Sequence, residues 1–264
     1  MGFPYNTVLL VGATSGIGAA LADRLVQEGS KVIAVGRRQE RLDAFVRNHG
    51  DANASSINYD ITDRNGLDGF VQQVVKENPQ LDCVILNSGM QQTFRLSKPA
   101  EVDLDAFHHE MNTNFTSVVN LAIKFSDVLL AKQSPTALIV TGTHLSIVPS
   151  VAMPAYSSSK AALHAFMDCL RRQNQDKNCK FIEISAPAVQ TELHDYLGVE
   201  RGRAIGMPLN DFINQAYPQL ERSEEHTSIG IPMGVTAEDY HSFVGKRQKM
   251  FDELSNTVLA HFQL

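Results

Sequence analysis

Short, almost uninterrupted apolar runs alternate with amphipathic stretches along roughly the first 185 residues of the chain. Runs such as VLLV, VIAV, CVIL and ALIV are typical of parallel strands that are covered on both faces. The predicted strands are Thr7–Gly12, Lys31–Gly36, Ser55–Tyr59, Cys83–Asn87, Ala137–Thr141 and Lys180–Ser185. The predicted helices between them are Ile17–Glu28, Gln39–Asn48, Arg64–Glu77, Asp103–Lys132 and Tyr156–Asn174. This alternation predicts an α/β fold, a doubly wound parallel sheet with helices on both faces.

The pattern changes after Ala186. The segments 198–208 and 222–230 are rich in glycine, charge or polar residues, which predicts loops. An apolar stripe then predicts a C-terminal helix over 236–262. No linker separates these parts, so the whole chain, 1–264, is predicted to be a single domain. Within it, we expect 192–235 to form a substrate-binding insertion of loop and helix beside the crevice at the carboxyl ends of the strands.

Composition and charge argue against several classes of function. The chain has 23 Lys and Arg against 29 Asp and Glu, whereas a protein that binds nucleic-acid phosphates should be basic. No apolar stretch approaches the roughly 18 residues of a membrane span, and the N-terminus lacks a secretory signal pattern. Cys83, Cys169 and Cys179 lie in apolar periodic segments without C-x-x-C spacing. We therefore expect buried thiols, a reducing cytoplasmic location, and neither nucleic acid nor membrane as partner.

The first predicted strand ends in a glycine-rich turn, Val11-Gly12-Ala13-Thr14-Ser15-Gly16-Ile17-Gly18, that leads directly into a helix. Glycines allow positive φ and close backbone approach, and the free N–H groups at a helix start suit a pyrophosphate. The spacing G-x-x-x-G-x-G resembles the short-chain dehydrogenase/reductase family, with Val11 in place of the usual Thr. Leu86-Asn87-Ser88-Gly89 is similar to that family's N-N-A-G. The resemblance implies a Rossmann-type sheet and a dinucleotide held by Gly12, Thr14, Ser15, Gly16, Ile17, Gly18, Asn87 and Gly89.

The end of the second strand indicates which dinucleotide binds. An acidic residue there would contact a ribose 2′-hydroxyl, but this chain has Arg37 and Arg38, which can bind a 2′-phosphate. This favours NADP(H) over NAD(H), although both arginines, with Arg41, could instead form a solvated helix start. Further along, the resemblance places the Asp60 carboxylate and Ile61 at the adenine. Asp60 could equally belong to the cap of the next helix.

The pair Tyr156 and Lys160 suggests the chemistry. Four residues apart on a predicted helix, their side chains share one face. A phenol titrates near pH 10, and a nearby ammonium favours the phenolate and lowers this pKa, as general acid–base catalysis near neutrality requires. A Y-x-x-x-K pair on a helix surface also occurs by chance. Its place in this chain, however, is that of the family's catalytic Y-x-x-x-K, which implies that both residues also contact the cofactor.

The resemblance implies further site residues. Thr143 occupies the place of the family's substrate-binding Ser and keeps a hydroxyl; Ser146 is a more distant substitute, and His144 could line the pocket. Asn114 lies where the family has a proton-relay asparagine, with Asn112 and an outward-facing side chain as the alternatives. After the sixth strand, Ala186 and Pro187 replace the usual Pro-Gly, whereas Val189 and Thr191 remain available to the nicotinamide and phosphates. The family's usual last strand is missing from the pattern.

Together these features predict an NADP(H)-dependent oxidoreductase that transfers a hydride between nicotinamide and a ketone or secondary alcohol. Tyr156 is the predicted general acid/base. The expected partner is a moderately hydrophobic small-molecule carbonyl or alcohol, and the resemblance implies a homodimer or homotetramer. The alternative is a non-redox NADP(H)-binding sensor, isomerase or cyclase on the same fold. A metal hydrolase is disfavoured because no H-E-x-x-H spacing occurs, and no metal site is predicted.

Overall fold

The centre of the protein is a parallel sheet, described in a computed structural model that covers residues 2–262. Its strands are β1 Thr7–Val11, β2 Lys31–Gly36, β3 Ala54–Asn58, β4 Cys83–Leu86, β5 Thr136–Thr143, β6 Cys179–Ala186 and β7 His226–Ser228. They are ordered β3-β2-β1-β4-β5-β6-β7, and each pairs in parallel with its neighbours. The order reverses between β1 and β4, which is where sheets of this kind open their ligand crevice. The predicted doubly wound Rossmann-type fold is confirmed.

Helices cover both faces of the sheet. They are α1 Gly16–Gln27, α2 Gln39–His49, α3 Leu67–Glu77, α4 Leu104–Met111, α5 Ser117–Leu130, α6 Pro154–Gln173, α7 Val199–Arg203, α8 Leu209–Glu221 and α9 Ala237–Phe262. Alternate side chains of β1 enter two separate cores. Leu10 packs in the core that includes Leu21 of α1 and Tyr217 of α8, whereas Leu9 packs in the core that includes Phe125 of α5. Burial on both faces explains why the strands are almost uninterrupted apolar runs.

The long helix predicted over Asp103–Lys132 is interrupted. One π-helical turn, Asn112–Thr116, lies between α4 and α5. Such wide turns are frequent at functional sites. Here the turn carries Asn114, whose side chain is fully buried and hydrogen-bonded to the backbone of Met90.

Two predictions about the C-terminal part are wrong. The sheet does have a last strand, because β7 pairs with Glu183–Ser185 of β6 inside the segment interpreted as a loop over 222–230. The strand is only three residues long and contains polar residues, so it leaves no apolar pattern, although Thr227 is fully buried. In addition, the segment 198–208 contains the short helix α7.

The cysteines are free thiols, and one differs from the prediction. Cys83 and Cys179 are buried in strands, but Cys169 is exposed because it lies on the outer face of α6. Among the described residues, none of the helices combines the length and apolar character needed to cross a bilayer.

Ionic contacts to buried side chains join α9 to α6. Arg247 of α9 donates to the Asp168 carboxylate over 2.9 Å and contacts the ring of His164 at 2.7 Å. The other ring nitrogen of His164 lies 2.7 Å from the Glu183 carboxylate of β6. Both carboxylates are only 1% exposed, and Arg171 of α6 also contacts Asp168 at 3.2 Å, so α9 supplies one of the two arginines that balance this buried charge.

Candidate active site

A cleft of about 990 Å³ opens at the carboxyl ends of β1, β4, β5 and β6. Most of the predicted site residues line it: Gly12, Thr14, Ser15, Gly16, Ile17, Arg37, Arg38, Asp60, Ile61, Asn87, Gly89, Thr143, Tyr156, Lys160, Val189 and Thr191. The fold therefore brings together residues from seven separate chain segments. Gly18 and Asn114 lie behind the wall of the cleft.

The glycine-rich turn is shaped by its own packing. Gly12 has φ of 90° and Gly16 has φ of 53°, both in the region that favours glycine. A Cβ on Gly18 would lie 2.1 Å from the carbonyl oxygen of Gly12, so Gly18 closes the turn and does not face the cleft. The Asn87 amide supports the same turn, since its Nδ2 donates to the Gly12 carbonyl over 3.3 Å.

The arginines at the end of β2 converge on this turn. Arg38 donates from Nε to Thr14 Oγ1 over 3.0 Å and from Nη2 to Thr14 Oγ1 over 2.8 Å. Its Nη2 also donates to Ser15 Oγ over 2.5 Å. Arg38 and Arg41 share a further partner, Glu192, at 2.9 and 2.8 Å. Both arginines are exposed at the start of α2, as the alternative predicts, and they also have hydrogen-bond partners on the glycine-rich turn and on Glu192.

Arg37 points to a different carboxylate. Its guanidinium lies 3.5 Å from Asp60, and the Thr62 backbone and hydroxyl donate to Asp60 Oδ1 over 2.9 and 2.8 Å. Burial alone would raise the pKa of Asp60, but these hydrogen bonds and the Arg37 charge lower it. Asp60 thus orders its own turn and also faces the cleft, so both interpretations of this residue remain open.

Tyr156 and Lys160 lie on one face of α6, whose first residue is Pro154. The Lys160 ammonium donates to the carbonyl of Thr141 at the end of β5 over 2.7 Å. It lies 5.8 Å from the centre of the Tyr156 ring. Tyr156 is 7% exposed, yet it lines the cleft, so a ligand there can reach a side chain that is shielded from bulk water.

Thr143 and Asn114 complete the set. The Thr143 hydroxyl donates to the carbonyl of Ala186 over 3.1 Å and faces the cleft. Asn114 accepts from the Met90 amide and donates to the Met90 carbonyl, both over 2.8 Å. A Cβ placed on Gly89 would lie 3.3 Å from Asn114 Oδ1 and 3.8 Å from Lys160 Nζ, so these two side chains flank the same glycine.

Comparisons with known proteins agree with this geometry. The family model described as short chain dehydrogenase matches residues 6–201, well over half of the chain. The chain belongs to the short-chain dehydrogenase/reductase family. It is 33% identical over 189 residues to the uncharacterized oxidoreductase DltE of Bacillus subtilis, which covers 72% of this chain and 73% of that protein. It is 28% identical over 187 residues to a serine 3-dehydrogenase of Agrobacterium fabrum, with 71% and 73% covered.

Solved structures share the fold. A short-chain dehydrogenase from Sphingobium yanoikuyae in complex with NADPH superposes with a TM-score of 0.80 at 23% identity, covering 94% of this chain and 95% of that one. An alcohol dehydrogenase from Comamonas testosteroni, described as specific for bulky-bulky ketones, gives a TM-score of 0.76 at 21% identity, with 94% of each chain covered. Family and fold together make this chain an oxidoreductase of the hydride-transfer type that uses a nicotinamide cofactor.

The donor set of this short-chain dehydrogenase fits such a cofactor. The first turn of α1 contains no acidic residue, and the Ser15 side chain makes no capping hydrogen bond within the described part of the chain. The backbone N–H groups at the start of α1 can therefore receive a phosphate. A Cβ on Gly12 would lie 2.7 Å from the Ser88 backbone nitrogen, so the chain segments meet there without room for a side chain.

The expected lowering of the Tyr156 pKa by Lys160 is wrong for the protein alone. Burial raises the pKa of Tyr156, and the charges of Glu110 and Tyr196 raise it further. Burial also lowers the pKa of Lys160 to about 8, against an opposing effect of Glu183. The ammonium donates to the Thr141 carbonyl, and burial is the largest effect on the pKa of both groups.

Several contributors were missed by sequence reasoning. Glu192 begins a 3₁₀ turn, Glu192–Leu197, that crosses the cleft, and Tyr196 in that turn donates to Gln91 Oε1 over 3.1 Å. The backbone at Val189 forms an isolated parallel bridge with Met207, so this strand end is paired rather than open. Glu192 and Tyr196 belong to no motif with recognisable spacing. Their positions depend on how the segment after Thr191 folds back over the sheet.

Proposed function

We propose that this short-chain dehydrogenase is an NADP(H)-dependent oxidoreductase that transfers a hydride between nicotinamide and a ketone or secondary alcohol. The single observation that carries the proposal is that Tyr156, Lys160 and Thr143 face the same cleft as the glycine-rich turn. A cofactor held at the start of α1 would share this cleft with the three side chains, of which Tyr156 and Thr143 could reach a substrate oxygen and Lys160 would support Tyr156.

The nicotinamide cofactor, when bound, supplies the hydride chemistry. On the protein side, the backbone from Gly12 to Ile17 would hold the pyrophosphate, and Arg38 the 2′-phosphate. Asp60 and Ile61 would contact the adenine. The residues expected nearest the ribose and nicotinamide are Asn87, Gly89, Tyr156, Lys160, Val189 and Thr191.

The preference for NADP(H) is argued from the arginines. Arg38 lies at the edge of the glycine-rich turn, beside Thr14 and Ser15. The hydroxyls of these two residues could bind a phosphate together with the Arg38 guanidinium. The fold alone does not decide the matter, because the Sphingobium neighbour is complexed with NADPH and another, from Burkholderia phymatum, with NAD.

In the direction of reduction, the Tyr156 hydroxyl would give its proton to the carbonyl oxygen of the substrate. Thr143 orients this oxygen with its own hydroxyl, which first has to leave the Ala186 carbonyl. Lys160 stabilises the phenolate that forms, and Asn114 is the proposed link from Lys160 to the proton supply. In oxidation the same proton moves the other way.

The wall of the cleft suggests the substrate class. Apolar side chains line the part of the cleft beyond Tyr156: Leu145, Val148, Met153, Ile205 and Ile231. They belong partly to the segment 192–235, which we propose binds the substrate. A moderately hydrophobic ketone or secondary alcohol would displace water from this wall with a gain in free energy.

A second candidate keeps the cofactor and drops the redox step. A sensor, isomerase or cyclase is favoured by the Thr at position 143 and by Ala186-Pro187 in place of Pro-Gly. Pro187 lacks an N–H at the point where the loop passes the cleft. The Tyr156, Lys160 and Thr143 set facing one cleft supports the redox proposal over this alternative.

Two experiments test the proposal. A thermal-shift comparison of NADP⁺ and NAD⁺ is expected to show the larger stabilisation with NADP⁺. Loss of NADPH absorbance with a panel of hydrophobic ketones is then expected, and no turnover on any panel member would favour the second candidate.

We further propose a homodimer or homotetramer, since Leu104 of α4 and Ile123 of α5 are more than half exposed. Light scattering in solution tests this proposal.

A further inference from the structure

The carboxylate of Glu192 occupies a site built from two arginines. Its two oxygens accept from Arg38 Nη1 over 2.9 Å and from Arg41 Nη1 over 2.8 and 2.9 Å. The glutamate side chain is 28% exposed, and each arginine side chain is 46% exposed. About 150 residues of chain separate the partners, so the contact joins the end of β2 to the segment that crosses the substrate side of the cleft.

The Glu192 carboxylate lies beside the glycine-rich turn. Arg38 reaches Glu192 with Nη1 while it donates from Nη2 to Thr14 and Ser15. Arg41 likewise donates to the Thr14 carbonyl over 2.9 Å. Carboxylate and phosphate oxygens accept the same forked guanidinium hydrogen bonds. Glu192 therefore takes up arginine donors that a phosphate at this turn would use.

The remaining arginine also has a carboxylate partner. Arg37 is paired with Asp60 at 3.5 Å and its side chain is 69% exposed. Two carboxylates thus face three guanidinium groups in this corner of the cleft. Removing the charge of Glu192 would leave Arg38 and Arg41 with hydroxyl and carbonyl partners only among the contacts that the structure describes.

We propose that Glu192 is a specificity-determining residue that competes with the 2′-phosphate of the cofactor for Arg38 and Arg41. This rests on the proposed use of NADP(H). A 2′-phosphate brought to Arg38 repels the Glu192 carboxylate and takes over its hydrogen bonds. Glu192 then has to leave the arginines, which weakens the binding of NADP(H) but not of NAD(H).

The exchange also connects cofactor choice to the substrate side of the cleft. Glu192 is the first residue of the turn Glu192–Leu197, capped by Thr191, and every residue of this turn lines the cleft. When Glu192 leaves the arginines, the start of this turn loses its link to β2. The segment that faces the substrate therefore responds to whether the bound dinucleotide carries a 2′-phosphate.

Calorimetric titration of the full chain with NADP⁺ and NAD⁺, which differ only in the 2′-phosphate, tests the inference. For Glu192→Gln we expect the Kd of NADP⁺ to fall about 3- to 10-fold, as the loss of two exposed ion pairs implies, and the Kd of NAD⁺ to stay within about twofold. The matched control is Glu40→Gln. Glu40 is exposed on α2, between Arg38 and Arg41 in the sequence. Glu40→Gln therefore removes one negative charge without touching the contact between Glu192 and the arginines, and the Kd values of both dinucleotides should stay within about twofold.

The outcomes separate this inference from the proposed function. If the wild type prefers NADP⁺ and Glu192→Gln does not lower the Kd of NADP⁺, the proposed competition is overturned, whereas the NADP(H) proposal stands. If the wild type binds both dinucleotides equally but Glu192→Gln prefers NADP⁺, the proposed competition is supported. The proposal that the wild type prefers NADP(H) is then wrong. A tightening that is equal for both dinucleotides, or equal in Glu40→Gln, would show a general charge effect and overturn the inference.

Discussion

The ammonium of Lys160 lies 5.8 Å from the centre of the Tyr156 ring and is held by the carbonyl of Thr141, 2.7 Å away. Both side chains are buried, and burial raises the pKa of Tyr156 while it lowers that of Lys160 to about 8. Burial thus disfavours the phenolate of Tyr156 in the protein alone, whereas Lys160, with a pKa of about 8, still carries its charge at neutral pH. Because Tyr156 lines the cleft, we expect a ligand there to change the surroundings of its hydroxyl, so that proton transfer depends on ligand binding.

The first prediction concerns Tyr156→Phe. We expect the rate of ketone reduction to fall about 10²- to 10⁴-fold, because the only change is loss of the hydroxyl that gives the proton. The Kd of NADP⁺ should change less than about threefold. Single-turnover kinetics and a binding titration measure the two quantities separately. Equal loss of binding and rate would mean that the hydroxyl holds the cofactor instead.

The second prediction separates the hydroxyl of Thr143 from its methyl group. Thr143→Ser keeps the hydroxyl that now donates to Ala186, so kcat should stay within about threefold. Thr143→Val keeps the shape and removes the donor, and kcat should fall about 10²-fold, as expected for loss of one hydrogen bond to a developing oxyanion. Steady-state kinetics of the two variants are compared, and equal activity in both would rule out an orienting role.

The third prediction concerns stability and pH. Glu110 of α4 is fully buried, and burial raises its pKa from 4.5 to about 7, with the Gln92 amide opposing the shift. Because the folded pKa is the higher one, stability is greatest below pH 4.5 and falls as pH rises towards and through 7. Glu110→Gln should therefore gain about 2–3 kcal/mol relative to the wild type between pH 5 and pH 8.

Urea unfolding of both proteins at the two pH values measures this gain. His109→Gln offers a control on the same helix, since His109 is exposed and lines the cleft. A wild type that is as stable at pH 8 as at pH 5, relative to Glu110→Gln, would show that the carboxyl ionises without cost.

The fourth prediction compares two glycines. Gly18→Ala would place a Cβ 2.1 Å from the Gly12 carbonyl oxygen, which is backbone and has little room to move. We expect a loss of about 2–3 kcal/mol in unfolding free energy, together with loss of NADP⁺ binding. Gly69→Ala in α3 meets open space and should instead stabilise by about 0.5–1 kcal/mol. Thermal unfolding with and without NADP⁺ reads out both effects.

Sequence reasoning reached the parts of this protein whose cause is local. The strands β1, β2 and β4 are apolar because both faces of the sheet are covered. The glycine-rich turn needs glycine because two of its residues have positive φ values. These causes act within a few residues, so the pattern records them. The positions of Tyr156 and Lys160 follow from helical spacing in the same way.

The features that escaped prediction have distant causes. β7 is a strand because β6 offers it an edge, not because His226-Thr227-Ser228 favours one. The π turn at Asn112–Thr116 accommodates Asn114, whose partners lie on a different segment at Met90. The raised pKa of Tyr156 results from burial, which spacing alone does not reveal.

The ionic contacts beneath α9 have a consequence for any shortened form of the enzyme. Asp168 and Glu183 reside in the interior, one on the helix that carries the Tyr–Lys pair and the other on the neighbouring strand, and Arg247 neutralises this group from outside. A chain cut before α9 would lose one of the two arginines that contact Asp168, leaving Arg171 of α6 at 3.2 Å, while Glu183 would keep only the ring of His164. We therefore expect a chain that lacks Arg247 to be less stable than the full chain, with the largest effect on the helix that carries Tyr156 and Lys160.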